Sequence, residues 1–148
     1  GFQASAARSD YVMAAFKIGA GWDLDNAGRR LIAIGEIAHA PNTPLNATLG
    51  LPGGGDADGW GWQLGTDLEN VFPDHSVGIN YGQSEGGMLL SNDFRQNNEL
   101  FEFRWQYQVT SALRFEFRYR WRRELEQRIG AAFLQRDRDV RLRATYKF

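Results

Sequence analysis

The chain has 148 residues, room for one domain with a sizeable core, and its 17 Lys+Arg against 18 Asp+Glu give no bulk charge of the kind that draws nucleic acid. The absence of cysteine excludes a disulfide framework and thiolate chemistry. No apolar run approaches the roughly 18 residues of a membrane-spanning helix.

The chain opens Gly1-Phe2-Gln3-Ala4-Ser5, without a basic stretch followed by an apolar one, so any signal peptide is expected to lie outside this sequence. Residues 11 to 23 then alternate, with Val12, Phe16, Ile18, Ala20 and Trp22 against Lys17, Gly19, Gly21 and Asp23. Residues 30 to 39 are apolar on both faces apart from Glu36. Residues 59 to 69 set Trp60, Trp62, Leu64 and Leu68 against Gly59, Gly61, Gln63, Gly65 and Asp67. Val77, Ile79 and Tyr81 oppose Gly78, Asn80 and Gly82 within 75 to 83. Phe101, Phe103, Trp105, Tyr107 and Val109 oppose Glu102, Arg104, Gln106 and Gln108 within 99 to 109. The stretch RFEFRYRWRR follows, where Arg114, Glu116, Arg118, Arg120 and Arg122 alternate with Phe115, Phe117, Tyr119 and Trp121. In residues 138 to 148, Val140, Leu142, Ala144, Tyr146 and Phe148 face away from Asp139, Arg141, Arg143 and Lys147. Period 2 is the repeat of a strand, and helical spacing is hard to find.

The connections add a second pattern. Residues 24 to 29, 70 to 74 and 110 to 112 are short, whereas 40 to 58, 84 to 98 and 124 to 137 are long, and the two kinds alternate. Outer-membrane barrels have short periplasmic turns and longer external loops. A strand of eleven residues at about 3.3 Å each, tilted near 45°, rises about 25 Å, the height of the apolar band of such barrels. The mean hydropathy of −0.48 does not oppose this reading, because lipid-facing and lumen-facing residues cancel in an average. Aromatics make up 14% of the chain, and on this topology Trp60, Trp62 and Trp121 fall at external strand ends while Trp22, Tyr107 and Phe148 fall at periplasmic ends. That is the placement of two interfacial girdles. Alternation by itself leaves a soluble barrel, with its apolar face inward, as a further reading.

The ending Ala144-Thr145-Tyr146-Lys147-Phe148 resembles the C-terminal signal of Gram-negative outer-membrane β-barrels, and residues 75 to 148 resemble the C-terminal hairpins of porin-like channels. The resemblance implies an all-β, antiparallel transmembrane β-barrel in the cell outer membrane, contact with the barrel-assembly machinery through Phe148, and, as in general porins, a homotrimer. It implies no cofactor. Seven strands are odd for a bacterial single-chain barrel. Either Gly1 to Arg8 supply an eighth, or residues 1 to 148 form the C-terminal part of a larger barrel, which is the expectation favoured by the weak β-propensity of residues 1 to 10.

With the aromatics toward lipid, Lys17, Glu102, Arg104, Arg114, Glu116, Arg118, Arg120, Arg122, Arg141 and Arg143 line the lumen. A wall this basic favours small anionic hydrophilic solutes in passive diffusion. The alternative is a closed eight-stranded barrel whose Arg and Glu residues pack as an ionic network without a pore, leaving a structural or loop-mediated binding role. Catalysis is not expected. His39 and His75 have no partner at metal-ligand spacing, and Asp74-His75-Ser76 are chain neighbours, a poor arrangement for a triad.

Overall fold

The structure, a computed structural model, describes residues 12–43, 57–86 and 95–148. These residues form seven strands: β1 (Ala14–Asp23), β2 (Arg30–Thr43), β3 (Ala57–Glu69), β4 (His75–Ser84), β5 (Asn98–Gln108), β6 (Leu113–Glu124) and β7 (Arg136–Tyr146). They pair antiparallel, each with its neighbour in the chain, in one sheet of order β1-β2-β3-β4-β5-β6-β7. No α-helix occurs among the described residues. The sheet does not close: among them β1 pairs only with β2, and β7 only with β6.

The expected strands are all present, with shifted ends. β2 runs on to Thr43 and β3 begins at Ala57, with an irregularity between Ala40 and Thr43, so the connection between them is shorter than alternation alone indicated. β7 starts two residues early and ends at Tyr146, leaving Phe148 beyond the ladder and fully exposed. The proposed extra strand at Gly1 to Arg8 lies outside the described residues.

The short turns carry their own chemistry. Gly28 adopts φ 81° in the first, where Asp25 Oδ1 accepts the amides of Ala27 at 3.0 Å and Arg29 at 3.1 Å. In the second, Asn70 and Asp74 hold φ 54° and 65°, and Asn70 Nδ2 donates to the Gly28 carbonyl at 2.7 Å, tying two neighbouring turns together. Thr110 Oγ1 caps the third by accepting from Ala112 and Leu113 amides at 3.2 and 3.0 Å.

An apolar core is nearly missing. The buried apolar side chains among the described residues are Ala38, Ala40 and Leu100. The exposed ones include Ile18 at 62%, Leu64 at 61% and Leu142 at 79%, while Glu102 and Arg120 are covered to 7% and 5%. The sheet is therefore inverted relative to a water-soluble one: it covers its charged face and exposes its apolar face. A flat single layer would leave both faces comparably open, so the difference means that the sheet bends around the charged side.

Candidate functional site

Because every side-chain row follows from register, the charged face can be written out across the sheet. One row runs Ile34, Gly65, Asn80, Glu102, Arg120, Asp139; the next runs Ile32, Asp67, Gly78, Arg104, Arg118, Arg141. On their other sides lie Gln63, Gly82, Leu100, Arg122, Asp137 and, toward the short turns, Gln106, Glu116, Arg143.

Glu102 is the hub of the network. Arg120 Nε donates to its Oε2, and Arg118 Nη1 stands 3.8 Å from the same oxygen. Arg118 Nη2 also reaches Glu116 at 3.1 Å, and Glu116 accepts Gln106 Nε2 at 2.8 Å. Arg104 Nη2 crosses Gly78 to Asp67 at 2.6 Å. A side chain at Gly78 would strike that carboxylate, since an added Cβ would lie 2.2 Å from Asp67 Oδ1. Here the glycine makes room for an ion pair spanning three strands. Gln63 Nε2 donates to Glu36 on the β2 side. Near the long connections, Arg122 Nη1 reaches Asp137 at 3.3 Å and Arg128 pairs with Glu124 at 2.6 Å. Lys17, Gln63, Asp67, Asn80, Glu102 and Arg104 line a cavity on this face.

The fold brings Glu102, Arg104, Glu116, Arg118, Arg120 and Arg122 together on one face of β5 and β6. Lys17 and Arg141 share the face but sit on the edge strands, half-covered or open. Arg114 and Arg143 also share it, and neither makes an ion pair with another described residue. Asp67, Glu36, Glu124 and Asp137 were missing from the expected wall. Period 2 places Asp67 and Asp137 there, but their pairing with arginines 37 and 15 residues away depends on register. Glu36, Glu124 and Asp137 offset the cations toward the long connections, whereas Asp67 offsets Arg104 nearer the short turns. Arg114 and Arg143, at the short-turn end of β6 and β7, keep no such partner among the described residues.

The opposite face carries the aromatics in two belts. Trp60 packs on His39 with centroids 4.2 Å apart, Trp62 meets Tyr81 edge-on at 5.5 Å, and Trp121 lies opposite Phe101, all toward the long connections. Trp22 pairs with Leu31 at the short-turn end, where Tyr107 stacks on His75 at 4.3 Å and Trp105 Nε1 donates to His75 Nδ1 at 3.1 Å. His75 is thus built into an aromatic stack rather than directed at Ser76, its neighbour on the other face. Comparison with protein-family models, with curated proteins and with solved structures finds no match.

Proposed function

We propose that the chain forms the wall of a transmembrane β-barrel in a Gram-negative outer membrane and works as a porin-like channel. Its basic inner face favours small anionic solutes that diffuse passively. The observation carrying this reading is the inversion of the sheet. About a dozen large apolar side chains on the strands stand exposed, and at about 1.5 kcal/mol apiece their contact with water forgoes roughly 20 kcal/mol, beyond the 5–15 kcal/mol of a whole domain's stability. Lipid removes that penalty. The two aromatic belts bound the face at the heights where such rings sit, and the strands have the length that a tilted crossing needs.

The charged face supports a solute path because its ion pairs leave unpaired cations. Arg114 and Arg143 raise local anion concentration at the short-turn end, in a space whose walls screen charge less than bulk water does. Conductance of the refolded protein in planar bilayers tests the reading. Discrete steps with an anion-shifted reversal potential in a salt gradient are expected, and Arg114→Gln with Arg143→Gln should move that potential toward zero. A cation preference unaffected by these changes would refute anion selectivity.

A second reading rests on the density of pairing around Glu102. Arg118 and Arg120 are covered and share its carboxylate, as a packed interior of a small closed barrel would require. A folded but silent barrel in the same bilayers would favour it.

A further inference from the structure

The apolar face is not uniformly apolar. By parity its charged strand residues are Asp58, Glu99, Arg123, Arg136 and Arg138, all at the end nearest the long connections. At the short-turn end the same face offers Trp22, Leu31, Leu68, His75, Tyr107 and Tyr146, with no Lys or Arg.

Three of the five charged residues are arginines on two paired strands. Arg123 stands opposite Arg136, and Trp121 opposite Arg138. Arg123 is already engaged: its Nη2 reaches Glu99 at 2.6 Å, its guanidinium lies 5.7 Å from the Trp121 ring centroid, and Glu99 also accepts the Tyr81 hydroxyl. Arg136 and Arg138 are exposed and make no ion pair with another described residue. The neighbouring acids Asp137 and Asp139 point to the other face, where they meet Arg122 and Arg141. Asp58 is on β3, well away across the sheet. Two uncompensated guanidiniums thus lie beside a Trp, at the level where the apolar band ends.

We infer that Arg136 and Arg138, with Trp121 beside them, form a binding site for the phosphate of a lipid headgroup in the leaflet nearest the long connections. The inference rests on the membrane reading above. Guanidinium groups match phosphate with paired donors, and a cation at the edge of a hydrocarbon band meets headgroups rather than solution. The absence of strand cations from the other rim makes the site sided. Only one of the two leaflets would be held this way.

The test uses the full chain refolded in detergent, titrated with a diphosphorylated diglucosamine lipid (lipid A) and with the same lipid stripped of its phosphates, bound lipid being counted by native mass spectrometry. The chain should prefer the phosphorylated form. Arg136→Gln with Arg138→Gln should weaken that binding by about tenfold to thirtyfold without changing binding of the stripped lipid, whereas Arg136→Lys with Arg138→Lys should keep most of it. Equal binding of the two lipids, or equal binding by parent and Gln variant, overturns the site alone. Failure of the parent to float with phospholipid vesicles overturns the membrane reading, and the lipid site with it.

Discussion

The two sides of the sheet, β1–β2 and β5–β6, obey the same alternation and do different things with it. On β5 and β6 the covered face is a network in which Glu102 serves Arg118 and Arg120, and Glu116 serves Arg118 and Gln106. On β1 and β2 the corresponding positions hold Gly19, Gly21, Ile32 and Ile34, and every residue of β1 is exposed. β5 and β6 hold most of the sheet's covered charge. β1 and β2 supply mostly apolar surface, with Lys17, Asp23, Arg30 and Glu36 as their charges and, among these, only an open contact between Asp23 and Arg30.

Backbone crowding gives the sharpest way to break that contrast. An added Cβ at Gly82, in β4, would lie 2.3 Å from the Trp62 carbonyl oxygen and 2.8 Å from Gln63 Cα, so the β3–β4 ladder itself would have to part. At Gly19, in β1, the nearest atom to an added Cβ is the Ala33 carbonyl oxygen at 3.6 Å, an ordinary contact. Gly82→Ala should therefore cost about 3 kcal/mol or more, the upper end for overpacking, and Gly19→Ala should be near neutral. Urea unfolding of the detergent-folded protein, followed by Trp fluorescence, measures both. Equal effects would mean that β4 is not pressed against β3 as the register implies.

Charge removal sharpens the same comparison at smaller scale. Glu102→Gln strips a shared carboxylate from Arg118 and Arg120, whose side chains are 13% and 6% exposed, and a broken covered pair costs about 3 kcal/mol at the low end of its range. Glu116 still serves Arg118, so about 2 kcal/mol is the expected loss by the same unfolding assay. Asp23→Asn, which removes the open 3.8 Å contact to Arg30, should change stability by less than about 0.5 kcal/mol. The ordering of the two variants, rather than either value, decides whether the central network is cohesive.

The sequence shows the faces of β5 and β6 because Arg and Glu alternate there with Phe, Tyr and Trp. β2 nearly conceals them: Ile32 and Ile34 are apolar on the charged face, Glu36 is the one acid sharing their parity, and pairing with Asp67 and Gly65 fixes which side they occupy. The irregularity between Ala40 and Thr43 does leave a signature, since Pro41 lies within it and a strand proline marks an edge or a bulge. Among the site residues, the wall of arginines is legible from parity, but its neutralisation is not. Arg104 meets Asp67 only because β3, β4 and β5 stand in one register with glycine at 78 between them. The rim cations were obscured for the opposite reason, since Arg123 and Arg138 interrupt an aromatic and aliphatic face whose pattern draws attention to Trp121 and Val140.

The smallest expected effect lies outside the strands, in the turn joining β1 to β2. The Arg29 guanidinium, hydrogen-bonded to the Asp25 carboxylate at 2.5 Å, holds the acid below its ordinary range, helped by the Arg29 and Ala27 amides. A carboxyl whose pKa is lower in the folded state stabilises that state above its unfolded pKa, and the contribution disappears as pH falls through the folded value. The turn should therefore hold at neutral pH and loosen only in acid below the usual carboxylate titration. The Ala27 amide resonance, followed by NMR in detergent during acidification, should report an inflection below that of a free aspartate, and Asp25→Asn should remove it. An inflection at the free value would mean that Arg29 does not engage Asp25 in solution, leaving Gly28 and the Asn70 tie to shape the turn between β1 and β2.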